Sequence, residues 1–211
     1  MALAHIGHTY TIADAETENS KEARVCRMFY DMARQSVLSD MDWSFARKVK
    51  SLSILEGETD PKYDFVYRLP VDCLRPRRML QPDIPTGQIY SGDYAYTRLA
   101  EESLPEELRA VYEPGVDSKG EVRTILTNLE QAQLVYTADY DNINLNTTVF
   151  NEALAIRLAM SLAMPIAASP SLSQSLGQAY QMTLQAAASQ DMNGRQEPQY
   201  PTPDTITSRI C

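Results

Sequence analysis

Three cysteines and two histidines in 211 residues leave little material for thiol or imidazole chemistry. Cys26, Cys73 and Cys211 are odd in number and widely spaced, so they imply no disulfide framework and suit a reducing compartment. His5 and His8 have no second Cys or His pair at ligand spacing, so no zinc site is expected and they are assigned to a mobile N-terminal segment. Positive charge is also scarce: 19 Lys and Arg stand against 28 Asp and Glu, a net charge of −9. Gripping nucleic acid requires the opposite surplus, to neutralise phosphates. If DNA passes near this chain, repulsion and sliding are expected.

Long apolar runs are missing as well. The most apolar stretch, residues 153–168, contains Arg157 and Pro165 and falls short of the ~20 residues a membrane span needs. The first residues, Met1-Ala2-Leu3-Ala4-His5-Ile6-Gly7, lack a basic segment followed by an apolar one, so no signal peptide is expected. Catalytic motifs are absent too. Gly115 and Gly120 have the spacing of a phosphate-binding loop, but Glu121 stands where lysine is needed, and a carboxylate there would repel phosphate. Glu101, Glu102, Glu106 and Glu107 lie in a proline-flanked polar stretch with nothing to bury them, and a raised pKa requires desolvation or coupling. Neither enzyme activity nor a cofactor is expected.

What is present is an ordinary globular balance, 44% hydrophobic and 22% charged, enough for one compact core with extensions. Residues 19–40 read as a helix. Asn19 is placed to cap it and Glu22 to bond back, while Ala23, Cys26, Tyr30, Ala33 and Val37 recur at helical spacing on one face. Trp43 and Phe45 follow at once and are expected to fold back onto its end. Residues 47–55 have strand character. Residues 62–69 alternate, with Tyr63, Phe65, Tyr67 and Leu69 on one side, and Pro70 ends the run. Residues 71–76 read as a short helical turn closed by Pro76.

Prolines and glycines punctuate residues 81–120, where a hairpin is expected at 88–96 around Ser91-Gly92-Asp93. A second hairpin is expected from strands near 122–126 and 133–137. Residues 148–164 form a helix that is apolar nearly all round, hence central in a bundle or covered by a neighbouring subunit. Ser169-Pro170 then caps a third helix, 170–189. Residues 191–211, with three prolines and a glycine, are expected to be an extended tail.

The expected fold class is α+β: a bundle of one N-terminal and two C-terminal helices, a β-hairpin or small-sheet insertion at about 45–140, and an extended C-terminal tail. In domain terms, 1–18 is an extension, 19–190 the main domain and 191–211 the tail. Candidate packing or inter-subunit residues are Trp43, Phe45, Tyr67, Phe150, Leu154 and Leu158. Candidate partner-docking residues are the basic spot Arg75, Arg77 and Arg78, suited to carboxylates or a phosphate, with Tyr200 and Ile210 in the tail. Twelve tyrosines against four phenylalanines suit a half-wet interface or a half-exposed sheet equally.

Four stretches together resemble the tail tubular protein A family of short-tailed bacteriophages, the head–tail adaptor or gatekeeper proteins. They are the helix 19–40 ending in Trp43-Ser44-Phe45-Ala46; Tyr67-Arg68-Leu69-Pro70-Val71-Asp72-Cys73-Leu74-Arg75; Ile125-Leu126-Thr127-Asn128 followed by Leu134-Val135-Tyr136-Thr137; and residues 150–159 running on to Leu162-Ala163. The resemblance covers about residues 20 to 165, and the tail after 190 has no counterpart in it. It implies a helix bundle with an inserted β region. It also implies a virion protein assembled in the bacterial cytoplasm as a closed ring, commonly a dodecamer. Portal protein would sit above the ring and the tail nozzle below, with DNA passing through unbound and no membrane involved. The alternative is a small cytosolic binding or regulatory module without catalytic activity.

Overall fold

The computed structural model describes residues 1–9, 12–14, 17–80 and 111–194. The chain is α+β, with helices from both ends of the sequence packed together and two small antiparallel sheets between them in sequence. Helix α1 is the single turn Ala2–His5, and α2 spans Lys21–Asp40. A short 3-10 turn, Ser44–Ala46, leads into β1 (Arg47–Ser51) and β2 (Ser53–Ile54). Then come β3 (Phe65–Arg68), β4 (Cys73–Leu80), β5 (Tyr112–Val116), β6 (Arg123–Thr127) and β7 (Gln133–Ala138). Helices α3 (Thr148–Ala163) and α4 (Pro170–Gly194) close the described chain.

Helix α2 begins one residue later than the capping pattern suggested. Ser20, not Asn19, is the cap, its hydroxyl accepting the Ala23 N–H at 3.2 Å. Ala23, Ala33, Val37 and Leu38 are buried, whereas Tyr30 lies at the exposed margin. Trp43 and Phe45 do fold back: Trp43 is 4% exposed, and its indole N–H donates to the Val37 carbonyl at 2.8 Å. Both rings meet Phe150 edge-on at 5.1 Å, and Phe45 meets Tyr140 at 6.3 Å. Each such pair adds about 0.5–1.5 kcal/mol beyond burial.

The all-round apolar character of α3 has its explanation inside the chain. Helices α1, α2 and α4 all pack on it, so Phe150, Ala153, Leu154, Ile156, Leu158, Ala159 and Leu162 are buried without a second subunit. Residues expected to be a mobile extension supply part of that cover: Ala2, Leu3 and Ile6 are buried in this core. Arg157, the charge within the apolar run, donates from Nε to Ser36 Oγ at 3.2 Å. Helix α4 starts as expected, Ser169 Oγ accepting the Leu172 N–H at 3.3 Å, but continues to Gly194. Residues 191–194 are therefore helical rather than extended; the rest of the tail, and the hairpin expected at 88–96, lie outside the described residues.

Two sequence expectations fail in the β region. Residues 73–76 are strand, not a helical turn. β4 runs straight through Pro76, with irregularities in its register to β7 on either side of it, because pairing to β7 outweighs the local helical preference. Nor do β6 and β7 form a hairpin. β7 is the centre of a three-stranded sheet ordered β1-β7-β4, whereas β6 lies between β3 and β5 in a four-stranded sheet ordered β2-β3-β6-β5. β7 is buried along nearly its whole length, so it takes a partner on each side, and the segment after Thr127 crosses from one sheet to the other. Tyr67 anchors that crossing, its hydroxyl proton lying between the Leu129 and Glu130 carbonyls at 2.6 and 2.5 Å. Strand residues of both sheets share one apolar cluster: Tyr67 and Ile125 from one, Cys73, Met79, Leu134 and Tyr136 from the other. Burial pushes the Cys73 thiol up to about 11, so it is a packed, unreactive group.

The α3–α4 connection stores strain. Ala168 adopts φ +50° so that its N–H and that of Ser169 can reach back to the carbonyls of Met164 and Ala163. A Cβ in this conformation costs about 1–2 kcal/mol, and glycine avoids it. Ala168→Gly should raise stability by about 1 kcal/mol, measured as a melting temperature higher by roughly 2–4 °C.

Candidate functional site

All eight residues from 34 to 41, the last two turns of α2 and its flank, are bonded to groups outside the helix. Arg34, 9% exposed, donates from Nη1 to Asp139 Oδ1 and to the Tyr140 carbonyl, both at 2.6 Å. Gln35 Nε2 donates to Asp139 Oδ2 at 3.0 Å, and Ser36 receives Arg157. Val37 receives Trp43, and the Tyr180 hydroxyl of α4 donates to Asp40 Oδ2 at 2.8 Å. The terminal carbonyls are met from β4. Arg77 Nη2 reaches the Leu38, Ser39 and Met41 carbonyls at 3.3, 3.1 and 2.5 Å, and Arg75 Nη1 reaches Ser39 at 2.9 Å. Arg77 also donates from Nε to Thr137 Oγ1 at 2.7 Å, linking helix, β4 and β7. The last turn of α2 has no basic side chain of its own, so this distant arginine supplies the charge that favours a helix C-terminus. Burial draws the Arg77 guanidinium below its ordinary pKa, and Asp42 opposes that shift.

Beside this junction lies an open cleft of about 540 Å³ lined by Arg34, Lys50, Val71, Asp72, Asp139 and Asp141. Its floor is made of neutralised charge. Asp72 accepts from Lys48 Nζ at 2.7 Å and from the Tyr136 hydroxyl at 3.0 Å. Burial alone would raise the Asp72 pKa, but the bonds from Lys48 and Tyr136 and the lysine's charge outweigh it and hold the carboxyl below its ordinary value. Asp139 is likewise held in place, bonded to Arg34 and Gln35. Among the described residues, no three His, Cys, Asp or Glu side chains are grouped to hold a metal, and no helix is long and apolar enough to cross a membrane.

The candidate residues from the sequence thus divide differently from expectation. Trp43, Tyr67, Phe150, Leu154 and Leu158 are buried within the chain, with Phe45 half-buried, so they pack the interior of the chain itself. Arg75 and Arg77 are not a free docking spot, because their guanidinium groups are committed to the α2 terminus. Arg78 is half-buried and also engaged. Tyr200 and Ile210 lie outside the described residues. The cleft itself was missed, because Arg34, Asp72 and Asp139 are far apart in sequence and only the missing basic residue at the end of α2 hints at a remote donor. The chain matches no protein-family model and no curated protein.

Replacing Arg77 with alanine removes charged hydrogen bonds to several half-buried acceptors. It should cost about 2–3 kcal/mol in denaturant unfolding, with Arg77→Lys recovering only part. The lowered Asp72 value means that its contribution to stability is complete above the ordinary carboxylate range and is lost as pH falls through the folded value. Lys48→Met should move the Asp72 pKa upward, read from the side-chain carboxyl resonance in an NMR titration; an unmoved pKa would show that Lys48 does not hold it.

Proposed function

We propose that this chain is a head–tail adaptor of a short-tailed bacteriophage: a non-enzymatic virion subunit, assembled in the bacterial cytoplasm, that forms a ring between portal and tail nozzle around the DNA exit channel. The carrying observation is the order of the fold. A long helix, then a β region, then two helices, α3 packed on α2 and α4 packed on α3, is an arrangement that agrees with the helix bundle and inserted β region that the four family-like stretches imply. The acidic charge of −9 agrees with a channel wall that DNA slides past.

The buried core changes how the ring would be held. Since α3 is covered within its own chain, subunits would meet through side chains that stay outside, such as Met28 and Met32 on α2, Val49 on β1 and Val71 by the cleft. Such scattered apolar groups among charges suit a weak contact that closes only on a template. The completeness of the single-chain core also favours a second reading, a monomeric binding or regulatory module.

The two separate on mixing with the portal ring encoded in the same genome. The adaptor should sediment alone as a monomer and appear by electron microscopy as a closed ring on one end of the portal. A chain that remains monomeric and unbound at excess portal would sink the adaptor assignment and leave the binding module.

A further inference from the structure

We propose that β1 is a docking edge for an extended, acid-bearing segment of a partner protein, which would add as a fourth strand beside β7-paired β1. This does not depend on the adaptor assignment.

Among the described residues the two sheets have four outer edges, and three lack the length or the backbone donors for strand addition, whereas β1 carries lysines, which guard against a like-charged strand but not an acidic one. β4 contains Pro76, which has no N–H to offer, and its Cys73 carbonyl is already occupied by Arg123 Nη1 at 2.8 Å. β5 contains Pro114. β2 is only two residues long. β1 is five residues long and has no proline, and among the described residues it pairs with β7 alone, on one side. The bond from the Leu52 N–H to the Ala132 carbonyl at 2.9 Å sets the alternation of the ladder. Lys48 and Lys50 therefore turn their backbone groups toward β7, and Arg47, Val49 and Ser51 turn theirs outward.

The side chains select the occupant. Val49 is 51% exposed and presents an apolar spot on one face. On the other face Lys48 is neutralised by Asp72, while Lys50 is exposed at the rim of the cleft it lines with Asp72, Asp139 and Asp141, and makes no ion pair among the described residues. A second copy of β1 pairing antiparallel about Val49 would set Lys48 against Lys50, a like-charge opposition. A strand with an apolar residue opposite Val49 and a carboxylate opposite Lys50 meets complementary groups on both faces. Nucleic acid is a poorer fit, because Arg47 is held by Asp42 and Lys48 by Asp72, leaving one cation for phosphate.

The test uses the full chain and fluorescein-labelled octapeptides that alternate valine with glutamate or valine with lysine. By anisotropy, the glutamate peptide should bind at least about fivefold more tightly, and Lys50→Glu should reverse the preference. Hydrogen exchange should slow at the Val49 and Ser51 amides when the glutamate peptide is present. Val49→Pro removes an outward N–H without breaking a bond to β7, and should abolish binding while circular dichroism stays unchanged. If that variant does not fold, Lys50→Glu and the exchange data decide. Equal binding of both peptides, no slowing at Val49 and Ser51, slowing that depends on protein concentration without peptide, or preferential binding of a duplex oligonucleotide at these residues would each overturn the proposal.

Discussion

The end of α2 is a helix terminus that the chain cannot finish locally. A helix leaves its last carbonyls without partners, and here the final turn contains no lysine, arginine or histidine to meet them. Arg77 meets them from a strand nearly forty residues further along, and in doing so fixes where the sheets sit against the helices. Arg34 with Asp139, Arg157 with Ser36 and Tyr180 with Asp40 fasten the same two turns to β7, α3 and α4. The bundle and the β region each have an apolar cluster of their own, yet the junction between them at α2 is largely polar and directional. Directional bonds define an angle and a register in a way that apolar contact alone does not.

That division bears on assembly. A helix as apolar as α3 would need a neighbouring subunit if it stood at the edge of the molecule. Surrounded by α1, α2 and α4, it leaves the subunit with a finished core. The surface then offers small apolar spots, an open strand edge and a cleft whose charges are mostly satisfied in place. Apolar spots this small and scattered fall short of what an obligate interface buries.

Several parts of this could be read from residues close together in the chain. The periodicity of residues 21–40, the Ser-Pro start of α4 and the alternation through Tyr63, Phe65, Tyr67 and Leu69 all report on burial or capping within one or two turns of chain. Asn19 and Ser20 are both residue types that cap a helix, and only the backbone at Ser20 decides between them. The arginines at 75, 77 and 78 look like a docking spot in sequence because a basic triplet beside a proline gives no sign of what it touches. In the structure the same charges are internal fasteners for Arg75 and Arg77.

The sequence by itself determined the place and approximate extent of the three long helices, the α+β class and the lack of a long apolar run, since these follow from short-range spacing and composition. Tertiary structure alone decided that β6 and β7 part into different sheets, that residues 73–80 extend through a proline, and that α1 rather than another subunit covers part of α3. Those outcomes depend on which distant segments compete for the same buried surface and the same unpaired backbone groups. Such competition is settled only when the whole chain has folded, because the free energy of each pairing includes the partners it displaces.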